Sequence, residues 1–110
     1  MQVIFIETPD FQISAKRGAL TDEQLRALQD EIRSNPDAGD PVSGTDFRKI
    51  RVALAGRGKR GGGRAIFYRV TRASTVYLLF FYAKNDTPDL SPAGAKYLQQ
   101  VAEILDRETK

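Results

Sequence analysis

The chain has 110 residues and a net charge of +3, with no cysteine and no histidine. That length is typical of one domain able to bury a core without staples, and the lack of thiols excludes disulfides and thiolate zinc centres while leaving the redox compartment open. The lack of imidazole removes the commonest general base and metal ligand, so any catalysis has to use Lys, Arg, Tyr, Asp or Glu.

In chain order, "QVIFIE" (2–7) is rich in β-branched residues and reads as a first strand buried on both faces. Thr8-Pro9 is a turn signal, and Pro9 suits the first turn of a short helix over 9–16 that Gly18 stops. The clearest helix lies within 20–36. Thr21 and Gln24 form a capping box, Leu20 and Leu25 a hydrophobic staple, and Leu25, Leu28 and Ile32 one apolar stripe, with Asn35-Pro36 ending it. "DAGDPVSG" (37–44) reads as a loop. Over 46–54, Phe47, Lys49 and Arg51 alternate with Arg48, Ile50 and Val52, the pattern of a strand with one charged face. "GRGKRGGGR" (56–64) reads as a turn or hinge. A strand over 64–72 follows, placing Ala65, Phe67 and Arg69 opposite Arg64, Ile66, Tyr68 and Val70. The apolar run from Val76 to Tyr82 reads as a central strand covered on both faces. A last helix over 89–107 has Ser91 as N-cap and Pro92 at its first position, with Tyr97 expected in the core.

The order β-α-α-β-β-β-α has short turns between the late strands, which implies an antiparallel meander. The expected fold is a single α+β domain over 1–110, a small twisted antiparallel sheet with two N-terminal helices and one C-terminal helix, all covering one face. No stretch approaches the ~18 apolar residues of a membrane helix. The opening "MQVIFIETPDF" lacks the basic and long apolar regions of a secretory signal. A cytoplasmic protein without membrane contact is expected.

Charge is strongly polarised along the chain. From Phe47 to Asn85 there are ten cations and no acid, whereas the remainder carries the other seven cations and all 14 acids. Such a block points to a polyanion partner, with neutralisation by a partner protein's acidic face as the alternative. A Walker A loop is excluded because no Ser or Thr follows the glycines and a strand, not a helix, comes next; a dinucleotide fingerprint fails for the same reason. A minor-groove hook of the Gly-Arg-Pro type fails for want of proline.

Alternation along the strands makes Lys49 with Arg51, and Tyr82 with Lys84, same-face pairs. With Arg64 they would converge on a basic concave surface, and such a set can cleave RNA without histidine, metal or cofactor. A guanidinium at Arg64 can hold the phosphorane oxygens. An ammonium among other cations is more acidic than one in isolation. The Tyr82 phenol can stack on a base or donate a proton. Its bland alternative is a core-edge residue. Arg69 and Arg72 read as solvated strand-edge residues. Arg57, Lys59 and Arg60 are assigned to RNA binding, with electrostatic steering alone as the alternative for Lys59 and Arg60.

The stretches "FRKIRVALAGRGKRGGGRAIFYR" and "VYLLFFYAKNDTPDLS" resemble the RelE/ParE toxin superfamily and, within it, the HigB-like branch of RelE-type toxins. The resemblance runs nearly the whole length and implies a type II toxin–antitoxin toxin that cuts mRNA in the ribosomal A site. Cleavage would proceed by 2′-hydroxyl attack, leaving a 2′,3′-cyclic phosphate and a 5′-hydroxyl. By position, Lys49 and Arg51 match the family's basic strand pair, Arg64 its phosphate-binding arginine and Lys84 a basic position at the end of the central strand. Asn85 stands where some relatives carry another arginine. The implied partner is a HigA-like helix-turn-helix antitoxin. The competing expectations are a ParE-like, non-catalytic inhibitor of DNA gyrase and a plain RNA- or DNA-binding module.

Overall fold

The computed structural model describes residues 2–35, 37–42, 44–54, 58–83 and 92–109. The elements are β1 (Ile4–Glu7), α1 (Pro9–Arg17), α2 (Asp22–Ser34), β2 (Asp40–Pro41), β3 (Arg48–Leu54), β4 (Gly58–Val70), a 3₁₀ turn over Thr71–Ala73, β5 (Thr75–Ala83) and α3 (Pro92–Glu108). Local chemistry fixes the helix starts as the residue types require. Thr8 caps α1 by accepting from the Phe11 amide, and Thr21 and Gln24 close both bonds of the capping box on α2. Ser91 lies outside the described residues.

The sheet order is β1-β5-β4-β3-β2. The meander of β3, β4 and β5 is antiparallel as expected, but β1 pairs with β5 in parallel, so the sheet is mixed. The segment read as a loop contributes the two-residue β2, which pairs with Arg48 and Lys49. The described part of the glycine-rich stretch is strand rather than hinge; Gly56 and Arg57 lie outside the described residues. From Gly58 onward it belongs to β4, with Gly63 paired to Val52 and Ala83 and a register shift between Val52 and Leu54.

The helices cover both faces rather than one. α1 and α2 pack Phe11, Leu28 and Ile32 against Ile50, Val52, Ala65, Phe67, Val76, Leu78 and Phe81. α3 packs Leu98 and Ala102 against Phe47 and Val42 on the opposite face, bordered by Ile66, Tyr68 and Leu79. The reason lies in the even and odd positions of β4: Ala65 and Phe67 serve the first core, Ile66 and Tyr68 the second. β1 is an edge strand and is not buried on both faces. Phe5 packs on the first core, while Ile4 and Ile6 are 58% and 40% exposed. Tyr97 is likewise 63% exposed rather than in the core, because it sits on the flank of α3 and not on the Leu98–Ala102 stripe.

A bulge in β5 sets the second half of that strand. Ile66 pairs with Phe80 but Phe67 pairs with Leu78, so Leu79 is the extra residue. The side chains of Thr8, the N-cap of α1, and of Ser14 within α1 hold it. The Thr8 hydroxyl donates to the Leu79 carbonyl at 2.9 Å, and the Phe81 amide donates to Ser14 Oγ at 2.9 Å. Beyond the bulge, Phe81 turns into the first core, where its ring fills the space a side chain would need at Gly18 and Gly63. A Cβ at Gly63 would lie 2.6 Å from Phe81 Cζ and 2.9 Å from the Tyr82 carbonyl oxygen, and one at Gly18 would lie 2.5 Å from Phe81 Cε2.

The Tyr82 carbonyl belongs to the sheet backbone and cannot rotate away. Gly63→Ala is therefore expected to lower stability by about 1–3 kcal/mol, read as a fall in the urea midpoint at unchanged slope. Ser14→Ala removes the acceptor of the Phe81 amide inside the core and is expected to cost about 1–3 kcal/mol. Hydrogen exchange should show the Phe81 amide losing protection ahead of its β5 neighbours.

Candidate functional site

The six cations of the basic block whose side chains are described divide according to the face they occupy. Those on the α1–α2 side, or just past the end of β4, bind backbone carbonyls. Arg48 donates to the carbonyls of Asp37, Ala38 and Gly39. Arg69 donates to Ile32 in the last turn of α2, and Arg72 to Asp106 and Thr109 at the end of α3. Arg69 and Arg72 thus cap helix C-termini, where a cation also meets the negative end of the helix dipole; Arg69 is half-buried rather than solvated, whereas Arg72 is exposed as expected.

The cations on the α3 side form two rungs across the sheet. Arg51 pairs with Arg64, and Arg64 with Tyr82. One rung along, Lys49 pairs with Ile66, and Ile66 with Phe80. Directly opposed residues of antiparallel strands have Cβ atoms about 4.5–5.5 Å apart, so Arg51, Arg64 and Tyr82 stand side by side. Lys49 and Arg51 are exposed and Arg64 and Tyr82 half-buried. Arg64 Nη1 donates to the Gly63 carbonyl at 3.1 Å. Among the described residues, Lys49 and Arg51 have no side-chain hydrogen bond or ion pair. The core formed by α3 reaches Phe47, Ile66, Tyr68 and Leu79 and does not include the rung of Arg51, Arg64 and Tyr82.

The bulge at Leu79 is what brings Tyr82 to this face. With an unbroken period of two, Val76, Leu78, Phe80 and Tyr82 would all point toward α1. The extra residue shifts the phase, so Phe81 enters the core while Phe80 and Tyr82 look out beside Arg64. Their rings lie 6.3 Å apart at 31°. Phe80 is 41% exposed, so the coverage expected for the run from Val76 to Tyr82 is incomplete there. No sequence pattern singled out Phe80, because a run of seven apolar residues hides which one is displaced.

Arg57 and Lys84 lie outside the described residues, as does Asn85; Lys59 and Arg60 belong to β4, and their side chains lie outside as well. No cluster of carboxylates able to hold a metal occurs among the described residues, and no described helix is long and apolar enough to cross a membrane.

A cavity of about 470 Å³ opens elsewhere, lined by Asp46, Tyr68, Glu103, Asp106 and Arg107. Its three carboxylates repel phosphate, so this cavity is poorly suited to a polyanion. Tyr68 donates to Asp106 Oδ1 at 3.5 Å. Burial first, then the negative charges of Asp106 and Asp46, push its phenol above the ordinary value of 10.0. The fold therefore holds the proton more tightly than the unfolded chain does. The stability this gives is intact below the ordinary value and is lost as pH rises through the folded one. Urea unfolding is expected to show stability falling above about pH 10, and Tyr68→Phe should remove that part of the decline.

Over residues 3–110 the sequence matches the family described as the RelE toxin of the RelE/RelB toxin–antitoxin system. Among solved structures, the isolated Escherichia coli RelE toxin superposes with a TM-score of 0.51 at 13% identity, covering 91% of this chain and 99% of that one. At that identity the likeness establishes the fold: three helices on a five-stranded sheet in this order.

Proposed function

The chain belongs to the RelE toxin family, and from that premise we propose that it is a ribosome-dependent mRNA endoribonuclease of the HigB-like branch that inhibits translation as the toxin of a type II toxin–antitoxin pair. The observation that carries this reading is the rung of Arg51, Arg64 and Tyr82 beside Lys49, with Lys49 and Arg51 exposed and Arg64 and Tyr82 half-buried. Three cations in reach of one another suit a phosphodiester whose charge rises during the reaction.

In the proposed reaction the substrate's 2′-oxygen attacks the adjacent phosphorus, and the bond from phosphorus to the 5′-oxygen breaks. The 2′-hydroxyl proton leaves and the departing 5′-oxygen gains one, giving a 2′,3′-cyclic phosphate and a 5′-hydroxyl. Arg64 grips the non-bridging oxygens, aided by Arg51, where negative charge develops. Lys49 and the Tyr82 phenol on this face, together with Lys84, are the proton-transfer groups. Arg57, Lys59 and Arg60 draw in the RNA backbone. The chemistry needs no metal or cofactor. The partners are translated mRNA in the ribosomal A site, in the cytoplasm, and an antitoxin, HigA-like with a helix-turn-helix, which covers the basic face or blocks ribosome entry.

Induced expression of the wild type is expected to arrest growth and to produce in-frame, translation-dependent mRNA ends detectable by primer extension. Arg64→Ala should reduce those cuts by about 10²- to 10³-fold while its unfolding curve matches the wild type. Growth arrest with intact mRNA would overturn the reading, and accompanying gyrase-dependent DNA breaks would replace it with ParE-like inhibition.

A further inference from the structure

We propose that Phe80, together with Tyr82, forms a two-ring platform that stacks consecutive bases of single-stranded RNA, so that Phe80 governs which base is accepted next to the cleaved phosphate. The inference rests on the reading of this face as an RNA site and adds to it a residue with no charge and no part in the chemistry.

Three observations meet at Phe80. It is a large aromatic residue left 41% exposed on an otherwise well-packed strand. The bulge at Leu79 turns it to the face of Arg64, and without that bulge it would be inside. Its rung also carries Lys49, so each of the two rungs presents one aromatic ring and at least one cation.

Successive rungs on one face are about 6.5–7 Å apart, and the ring centroids are 6.3 Å apart. That separation suits one extended nucleotide per rung. A single strand laid along β5 would place one base on Tyr82 with its phosphate at Arg64 and Arg51. The neighbouring base would then rest on Phe80 with its phosphate toward Lys49. Base–aromatic stacking accepts any base but favours those with larger π-faces. The partner is therefore single-stranded RNA, chosen by the charge of the rungs. A duplex keeps its base faces hidden and cannot use the rings.

The test measures fluorescence anisotropy of a short labelled oligoribonucleotide and of its abasic counterpart, at low salt, with full-length wild type, Phe80→Ala, Phe80→Leu and Arg64→Ala. Phe80→Ala and Phe80→Leu should weaken binding of the intact strand about 5- to 100-fold and leave the abasic strand unchanged. Arg64→Ala should weaken both. In Phe80→Trp the indole fluorescence should be quenched by the intact strand and not by the abasic one, a readout that survives if the smaller variants fold poorly. If Phe80→Ala binds the intact strand as the wild type does while Arg64→Ala weakens both, the platform is wrong and the RNA reading stands. Equal losses on the two strands would make Phe80 a structural residue and also overturn the platform. Binding unaffected by Arg64→Ala, or absent in the wild type, would overturn both readings.

Discussion

One inserted residue in β5, and the two hydroxyls that hold it, organise this molecule. Past Leu78 the parallel strand β1 has ended, and the outer edge of β5 would be left with unsatisfied backbone groups. Thr8 and Ser14 replace the missing strand, one donating to the Leu79 carbonyl and the other accepting from the Phe81 amide. Ser14 is itself buried and donates to the Phe11 carbonyl, so its hydroxyl is satisfied in both directions. Phe81 then fills the space over Gly18 and Gly63, which ties the start of the glycine-rich strand to the end of α1. The same phase change turns Phe80 and Tyr82 outward. Core and candidate site are thus two consequences of one backbone irregularity, in keeping with the habit of bulges to re-aim side chains beside functional surfaces.

A second constraint is the separation of positive charge by sheet face. Arginine side chains on the α1–α2 side donate to backbone carbonyls, Arg48 to those of the loop after α2 and Arg69 to one in the last turn of α2, where the helix dipole also favours a cation. Lys49, Arg51 and Arg64 stand on the other side as strand neighbours, a placement that raises the local potential and disfavours the folded state through like-charge repulsion. A fold that retains such an arrangement has a surface suited to an anion. The acids of α3 keep to the opposite end of that face, where Asp106 and Asp46 surround Tyr68, so the face is polarised along its length as well.

The glycines of "GRGKRGGGR" acquire a different meaning in three dimensions. Flexibility or phosphate cradling would use their backbone amides in a loop, yet Gly63 is a paired strand residue whose missing Cβ makes room for an aromatic ring. Its effect on the site is indirect. By letting Phe81 pack, it fixes the strand on which Arg64 is the next residue.

Much was legible from residue order alone. The capping box of Thr21 and Gln24, the helix starts at Pro9 and Pro92, the antiparallel meander and the opposite faces of Lys49 and Ile50 all depend on interactions within a few residues, which the chain states directly. The grouping of Lys49, Arg51 and Arg64 follows from the period of two in β3 and β4, which is unbroken where those residues pair. Other features needed the folded chain because they depend on distant partners. The parallel docking of β1, the passage of α3 to the second face and the capping roles of Arg69 and Arg72 each join residues more than thirty positions apart. The orientation of Phe80, Phe81 and Tyr82 is the sharpest case. An unbroken apolar run contains no local signal of phase, and hydroxyls about seventy residues earlier, on Thr8 and Ser14, decide it.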